Sequence, residues 1–139
     1  MFSIPSQQRT APKELIQFAK AQANDILTNI RGVDYIMLCS TDGFELASIY
    51  KKNPYNSTKL AAVSSSILAM VTAFLNEIQL TGCQSITLDA ENGKAILTSI
   101  PAPHHPMVMV TLSNKDVLLG QLLYSLKQTS SAIVDADQA

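Results

Sequence analysis

The sequence predicts a single α/β domain in which one five-stranded, mostly antiparallel sheet carries helices on both faces. The chain has 139 residues, 47% of them hydrophobic, which suits one hydrophobic core. Gly43 and Gly93 each follow an Asp or Asn between apolar segments, a pattern typical of β-hairpin turns. The middle of segment 33–40 and segment 107–112 are apolar on both faces, as strands covered on both sides are.

The remaining elements follow from apolar periodicity and from the Gly and Pro residues that end it. The predicted order is α-β-β-α-β-β-β-α, with helices at about 12–29, 57–80 and 116–134 and strands at 33–40, 44–50, 85–90, 94–100 and 107–112. Residues 12–134 form the predicted domain, and residues 1–11 and 135–139 are expected to be a flexible N-terminal tail and a frayed C-terminal tail.

The strand pattern also predicts the order of the sheet. The two doubly apolar strands belong in the middle, side by side, which gives the order 2-1-5-4-3 and places strands 44–50 and 85–90 at the edges. The first edge carries Glu45 and ends at two lysines and Pro54, features that discourage pairing with another chain. The second edge is short, lacks Pro and is uncharged until Asp89, so it is open to a partner strand.

The long helix at 57–80 has two contrasting faces. Bulky residues at intervals of three or four predict a stripe that lies on the sheet: Leu60, Val63, Ile67, Val71, Phe74 and Ile78. Met70 is likewise expected to pack in the core. The opposite face carries small or weakly polar residues where a solvated helix would carry Lys and Glu: Ala62, Ser65, Ser66, Ala69, Thr72, Ala73 and Asn76. This face is predicted to contact another chain.

Charge and composition exclude several kinds of partner. The net charge is −1 and the ten Lys and Arg residues are scattered, so no basic nucleic-acid footprint is predicted. No stretch is expected to reach the roughly 18 apolar residues of a membrane span. Without a signal-like run after Met1, a cytoplasmic location is expected, with Cys39 and Cys83 as reduced thiols.

No catalytic or cofactor site is predicted. His104 and His105 are adjacent in a Pro-rich loop without further metal-ligand spacing, so they are expected to be solvated. The serines at 64–66 have no accompanying His and Asp pattern for nucleophilic catalysis. The glycines are assigned to turns and helix packing, which leaves none for a phosphate loop.

Taken together, the ordered motifs resemble the Roadblock (dynein light chain 7) domain over about residues 12–134. The resemblance rests on the hairpin at 33–50, the Lys59-Leu60-Ala61-Ala62 opening of the long helix, Gly82 after that helix, the Asn92-Gly93 turn and the closing segment 114–120. It implies a small regulatory dimer, often a companion of Ras-like GTPases as in bacterial MglB-type proteins, or a subunit of dynein and lysosomal scaffolds. In such dimers two sheets join edge to edge and the long helices lie side by side.

The leading hypothesis is therefore a non-catalytic homodimeric adaptor for a small Ras-like GTPase. The residues assigned to the dimer interface are Ala62, Ser66, Ala69, Ala73, Ser85, Ile86, Thr87 and Leu88, and those assigned to the GTPase-binding face are Ser65, Ala69, Thr72 and Asn76. Neither Arg9 nor Arg31 lies on the long helix, so insertion of an arginine into the partner's site is not expected. A small-molecule-sensing module and a structural subunit of a larger complex remain as alternatives.

Overall fold

A computed structural model describes residues 11–51 and 55–138 of the chain. Its elements are α1 (Lys13–Asn29), β1 (Val33–Ser40), β2 (Glu45–Tyr50), α2 (Ser57–Glu77), β3 (Ser85–Ala90), β4 (Gly93–Ile100), β5 (Met107–Ser113) and α3 (Leu119–Gln138). All neighbouring strands are antiparallel and the sheet order is β2-β1-β5-β4-β3. The predicted fold class and strand order are thus confirmed. The tail expected at 1–11 falls, except for Ala11, outside the described residues.

Two hydrophobic clusters lie on opposite faces of the sheet. Helices α1 and α3 cover one face, where Ile36, Met109 and Leu122 belong to the larger cluster. Helix α2 covers part of the other face, where Ala61 packs with Met37 and Val110 in the smaller cluster. Because side chains alternate along a strand, β1 and β5 supply both clusters, which explains why these strands are apolar at nearly every position.

Helix α2 ends earlier than the sequence predicted. It stops at Glu77, and Gln79 then adopts the left-handed backbone conformation (φ 64°). The amide of Leu80 donates to the Leu75 carbonyl at 2.9 Å, which satisfies one of the free carbonyls at the helix end. The helix end expected at residue 80 and the stopping role given to Gly82 were therefore wrong, and Gly82 (φ 72°) lies in the following loop.

The C-terminal end of α3 is anchored, which corrects two expectations. The helix continues to Gln138, and the buried Asp137 carboxylate accepts hydrogen bonds from the His104 amide (2.7 Å), the His105 amide (2.8 Å) and His105 Nδ1 (2.8 Å). Residues 135–138 are thus part of the helix rather than a frayed tail, and His105 is not simply solvated. Burial alone raises the pKa of Asp137, but these hydrogen bonds outweigh it and hold that pKa below its usual value.

Helix α2 is also more apolar than expected. Of the helices in the described residues, it is the one long and apolar enough, by length and composition, to cross a membrane. The expectation that no stretch reaches this level was therefore wrong. In the fold the helix packs on the sheet, mainly against β1, β2 and β5.

A candidate protein-interaction surface

Helix α2 is seated on the sheet through small residues. Ala61 and Ser64 are its buried residues, and small side chains let a helix approach a sheet closely. The β1–β2 turn braces the helix, because a Cβ built on Gly43 would lie only 3.3 Å from Ala62 Cα. The Ser65 hydroxyl donates to the Thr41 carbonyl in the same turn.

Polar contacts fix the start of α2. The Asn56 side chain accepts from the Lys59 amide at 3.1 Å and caps the helix. The Glu45 carboxylate accepts from the hydroxyls of Ser57 (2.7 Å) and Ser48 (2.6 Å), which joins the helix to β2. Tyr35 lies fully buried beneath, and its burial raises the pKa of the phenol. The helix is therefore held at its first turns by both a cap and a side-chain bridge.

The predicted buried stripe is only half correct. Leu60, Ile67 and Val71 are half-buried, but large apolar residues project outward on the rest of the stripe. These exposed residues are Val63 (46%), Met70 (66%), Phe74 (62%) and Ile78 (50%). The face that contacts the sheet is centred on Ala61, Ser64 and Leu68, which turns the bulky stripe towards the helix flank. We call Val63, Met70, Phe74 and Ile78 the apolar strip.

A second strip of small residues is also exposed on α2. Ala62, Ser66, Ala69 and Ala73, which we call the small strip, are exposed as predicted. At 3.6 residues per turn the two strips lie roughly 90° apart, on either side of the outward direction. The Ser66 hydroxyl donates to the Ala62 carbonyl of its own helix at 3.1 Å, so burying Ser66 against a partner would leave no unpaired donor.

The residues assigned to a GTPase-binding face are not equally accessible. Asn76 and Ala69 are exposed, whereas Ser65 and Thr72 are half-buried on the side of α2 that turns towards the sheet. Ser65 is already engaged with the β1–β2 turn. The contact face that the sequence assigned to α2 stays a prediction. Sequence reasoning missed the exposed apolar strip, and the small residues Ala61 and Ser64 on the inner face were the signal that could have indicated it.

Strand β3 is an open edge. The Ser99 amide donates to the Gln84 carbonyl at 3.0 Å. These two residues lie opposite one another, next to the Ser85–Thr98 pair of the β3–β4 register. Since hydrogen-bonded and non-hydrogen-bonded pairs alternate in antiparallel sheets, the backbone groups of Ser85, Thr87 and Asp89 point away from β4. Ile86 and Leu88 point to the α2 face of the sheet, because they pair with Leu97 and Ala95. Leu88 is 44% exposed there.

The charge at this edge is partly neutralised within the sheet. Asp89 forms an ion pair of 2.7 Å with Lys94 on β4. Because Asp89 is paired and no Pro precedes it in β3, the outward backbone groups of this strand remain accessible to a partner strand. The open edge β3 thus presents Ile86 and Leu88 on the same face of the sheet that α2 covers.

These features define a small α/β domain suited to association with other proteins. A model of the Roadblock/LC7 domain family matches residues 22–102, more than half of the chain. The chain belongs to this family, whose members are generally non-catalytic regulators. No curated protein sequence matches it.

Solved structures show the same fold at low sequence identity. The gliding protein MglB of Thermus thermophilus superimposes with a TM-score of 0.81 at 16% identity, over 93% of this chain and 95% of that one. MglB of Myxococcus xanthus gives 0.81 at 13% identity, over 93% and 94%. A Roadblock/LC7 domain from Streptomyces avermitilis gives 0.73 at 10% identity, over 84% and 94%. The MglB-like fold of the chain is therefore clear.

Proposed function

We propose that the protein is a cytoplasmic, homodimeric adaptor that binds a small Ras-like GTPase through its paired α2 helices and takes part in the GTPase cycle without supplying a catalytic residue. One observation carries the proposal: α2 exposes its apolar strip and small strip on the face of the sheet to which Ile86 and Leu88 of the open edge β3 also point. Exposed apolar surface of this kind is typical of protein-binding sites.

The dimer would form by pairing β3 with its twin. Outward amides and carbonyls of Ser85, Thr87 and Asp89 provide the hydrogen bonds, and Ile86 and Leu88 extend the apolar surface on the α2 face. The small strip then lets two α2 helices approach closely, because helix axes separate according to the size of the side chains between them. The proposed interface is Ala62, Ser66, Ala69, Ala73, Ser85, Ile86, Thr87 and Leu88.

The GTPase would bind the outer surface of the helix pair. Ala69 and Asn76 are accessible for this role, while Ser65 and Thr72 can contribute only their exposed edges. We assign the apolar strip to contact with the twin α2 helix, beside the small strip, rather than to the GTPase, because large side chains, Phe74 above all, typically dominate binding energy. Support comes from the family membership and the MglB-like fold, together with the small-GTPase role that the resemblance to MglB-type proteins implies.

A charge placed on the small strip tests the assigned face. Ala69→Glu should shift the protein from dimer to monomer in sedimentation velocity at micromolar concentration, because the carboxylate would be desolvated between two helices. Ala21→Glu is the matched control, since Ala21 is an exposed alanine on α1, on the other face of the sheet. Both variants should keep the circular dichroism spectrum of the parent. A wild-type protein that sediments as a monomer would overturn the dimer.

GTPase binding is tested separately. Each Ras-like GTPase of the source organism, loaded with GDP or with a non-hydrolysable GTP analogue, is passed over the immobilised protein. One of them should bind in a nucleotide-dependent way, and Ala69→Glu should weaken that binding while Ala21→Glu should not. Absence of binding for the whole set, with the dimer intact, would leave an adaptor for another kind of partner and refute the GTPase proposal.

A further inference from the structure

A cavity of about 780 Å³ lies at the β3 edge of the sheet. It lies between α2, α3, the end of β4 and the loop that precedes β3, and Leu68 and Thr72 are the α2 residues that line it. Its apolar lining comes from Leu68, Pro101, Leu123, Leu126 and Val134. Its polar lining includes Gln84, Ser85, Thr98, Ser99, Lys127, Ser130, Ser131 and Asp135. This size and mixed lining are typical of small-molecule sites.

The cavity contains a polar group that the protein leaves unsatisfied. Thr98 is 4% exposed, and its Oγ1 has no hydrogen-bond partner among the described residues. Buried hydroxyls are normally hydrogen-bonded, because an unpaired one carries the cost of its lost hydration. By contrast, the Ser130 hydroxyl on the opposite wall already donates to the Ser99 carbonyl at 3.1 Å. Thr98 is therefore an unpaired donor among the residues that line the cavity.

The charges around the cavity indicate the kind of ligand. Lys127 lines it and forms no salt bridge within the described part of the chain. Asp135 lies two turns further along α3, roughly 12 Å away by helix geometry. One cation and a distant carboxylate suit a monoanion, whereas a phosphate dianion would lack a second cation and would be repelled by Asp135. The apolar wall suits an alkyl chain.

We infer that this cavity binds a small aliphatic carboxylate. Its carboxylate accepts hydrogen bonds from the Thr98 hydroxyl and the Lys127 ammonium, and its alkyl chain lies against Leu123 and Leu126. The test of this inference does not need the GTPase. The cavity shares Thr72 with the proposed GTPase-binding face and Ser85 with the proposed dimer interface, and its other lining residues lie outside both.

Decanoate, used below its micelle concentration, is the test ligand, and decanol is its uncharged counterpart. In calorimetry the wild-type protein should bind decanoate about tenfold or more tightly than decanol, since a hydrogen bond to a charged group is stronger than one to a neutral group. Equal binding of the two, or no binding of decanoate, overturns the inference. Binding should persist in Ala69→Glu, so failure of the dimer and failure of this site are distinguishable.

Two threonine variants give the sharpest comparison. Thr98→Val should raise the melting temperature of the unliganded protein, because it removes an unpaired buried hydroxyl, and yet weaken decanoate binding about tenfold. Thr111 is the matched control: it is fully buried on β5, its Oγ1 is also unpartnered among the described residues, and it does not line the cavity. Thr111→Val should raise the melting temperature and leave decanoate affinity unchanged. Equal loss of affinity in both variants refutes the role of Thr98.

Lys127→Met tests the cation independently of folding, because Lys127 is exposed. It should reduce the preference for decanoate over decanol and weaken the dependence of affinity on salt. Lys20→Met on α1, an exposed lysine outside the cavity, should change neither. An unchanged preference in Lys127→Met contradicts the assigned ligand class.

Discussion

Replacing Phe74 by alanine separates what α2 contributes to the fold from what it contributes to association. Phe74 is 62% exposed, and a phenylalanine side chain offers about 150–250 Å² of surface. Roughly 120 Å² is thus open to a partner. At about 25 cal/mol per Å², covering that area stabilises a complex by roughly 3 kcal/mol for each side chain. A two-fold dimer that buries both copies gains up to about 6 kcal/mol.

The measured loss will be smaller than this upper value, because part of the alanine side chain is also buried on association. We expect Phe74→Ala to weaken the dimer by at least about 2 kcal/mol, roughly 30-fold in the dissociation constant. Sedimentation equilibrium over a range of concentrations measures this constant. At concentrations where the protein is monomeric, urea unfolding should show that Phe74→Ala changes the free energy of unfolding by less than about 1 kcal/mol, because a mostly exposed side chain contributes little to the stability of its own domain.

Tyr124→Ala is the matched control. Tyr124 lies on α3, is 66% exposed and is aromatic, so its removal takes away a similar open area on a different helix. It should leave the dimer unchanged. The reasoning is refuted if Phe74→Ala and Tyr124→Ala have equal effects on association, or if Phe74→Ala destabilises the isolated subunit by several kcal/mol, which would show that Phe74 packs against its own domain.

Four further predictions concern other parts of the chain. Thr87→Pro should abolish dimerisation in sedimentation runs yet keep the fold, because its amide points outward from β3, whereas Ile86→Pro removes a bond to β4 and should destabilise the domain in thermal melts. Asp137→Asn should cost about 2 kcal/mol at pH 7 in urea unfolding. Because its hydrogen bonds lower the folded pKa of Asp137, its contribution is present above the ordinary Asp pKa of about 3.9 and is lost as pH falls through the lowered folded pKa, so wild type and variant should converge in acid. Burial raises the pKa of Cys39 to about 12, so a thiol reagent at pH 8 should modify only Cys83 in mass spectra, and labelling of native Cys39 would contradict this. Gly93→Ala should lower the melting temperature, since a Cβ there would lie 2.7 Å from the Ser113 carbonyl oxygen, and an unchanged value would show that β4 and β5 can separate locally.

Strand identity and sheet order were predictable because they depend on local patterns. Alternation and the two Gly turns mark the hairpins, and double-sided apolarity places β1 and β5 in the middle of the sheet. The edge position of β3 follows from the same reasoning. These are properties of a segment and its immediate neighbours, so no knowledge of tertiary contacts was needed.

The orientation of α2 was not predictable in the same way. Periodicity shows that Val63, Phe74 and Ile78 share a side of the helix with Leu60 and Ile67, but it does not show which side meets the sheet. The sheet face is filled by Tyr35 and its neighbours, so the helix rests on Ala61 and Ser64 instead. A helix with a bulky stripe beside a small-residue face can pack on a sheet in two orientations, with either face inward. Only the volume available beneath the helix decides which orientation it adopts.

The anchoring of α3 was hidden for a different reason. Asp137 and His105 are 32 residues apart, and nothing in either local sequence links them. A carboxylate near a chain end is ordinarily solvated, which favoured a frayed tail. The three donors supplied by one loop make the buried carboxylate possible, and that convergence exists only in the folded chain.

Only 15% of the residues in the chain are charged, and the structure shows that helix α2 accounts for part of this scarcity. No charged residue occurs on α2 between Lys59 and Glu77, although only Ala61 and Ser64 of that segment are buried. Antiparallel pairing of two β3 edges requires a two-fold axis perpendicular to the sheet, and such an axis keeps both α2 helices on the same face. A single association would therefore cover the open edge and bring the two uncharged helices together, whereas pairing at the β2 edge would cover neither β3 nor its exposed Leu88. Because one interface would cover both features, we place the partner at β3 and α2 rather than at the β2 edge of the sheet.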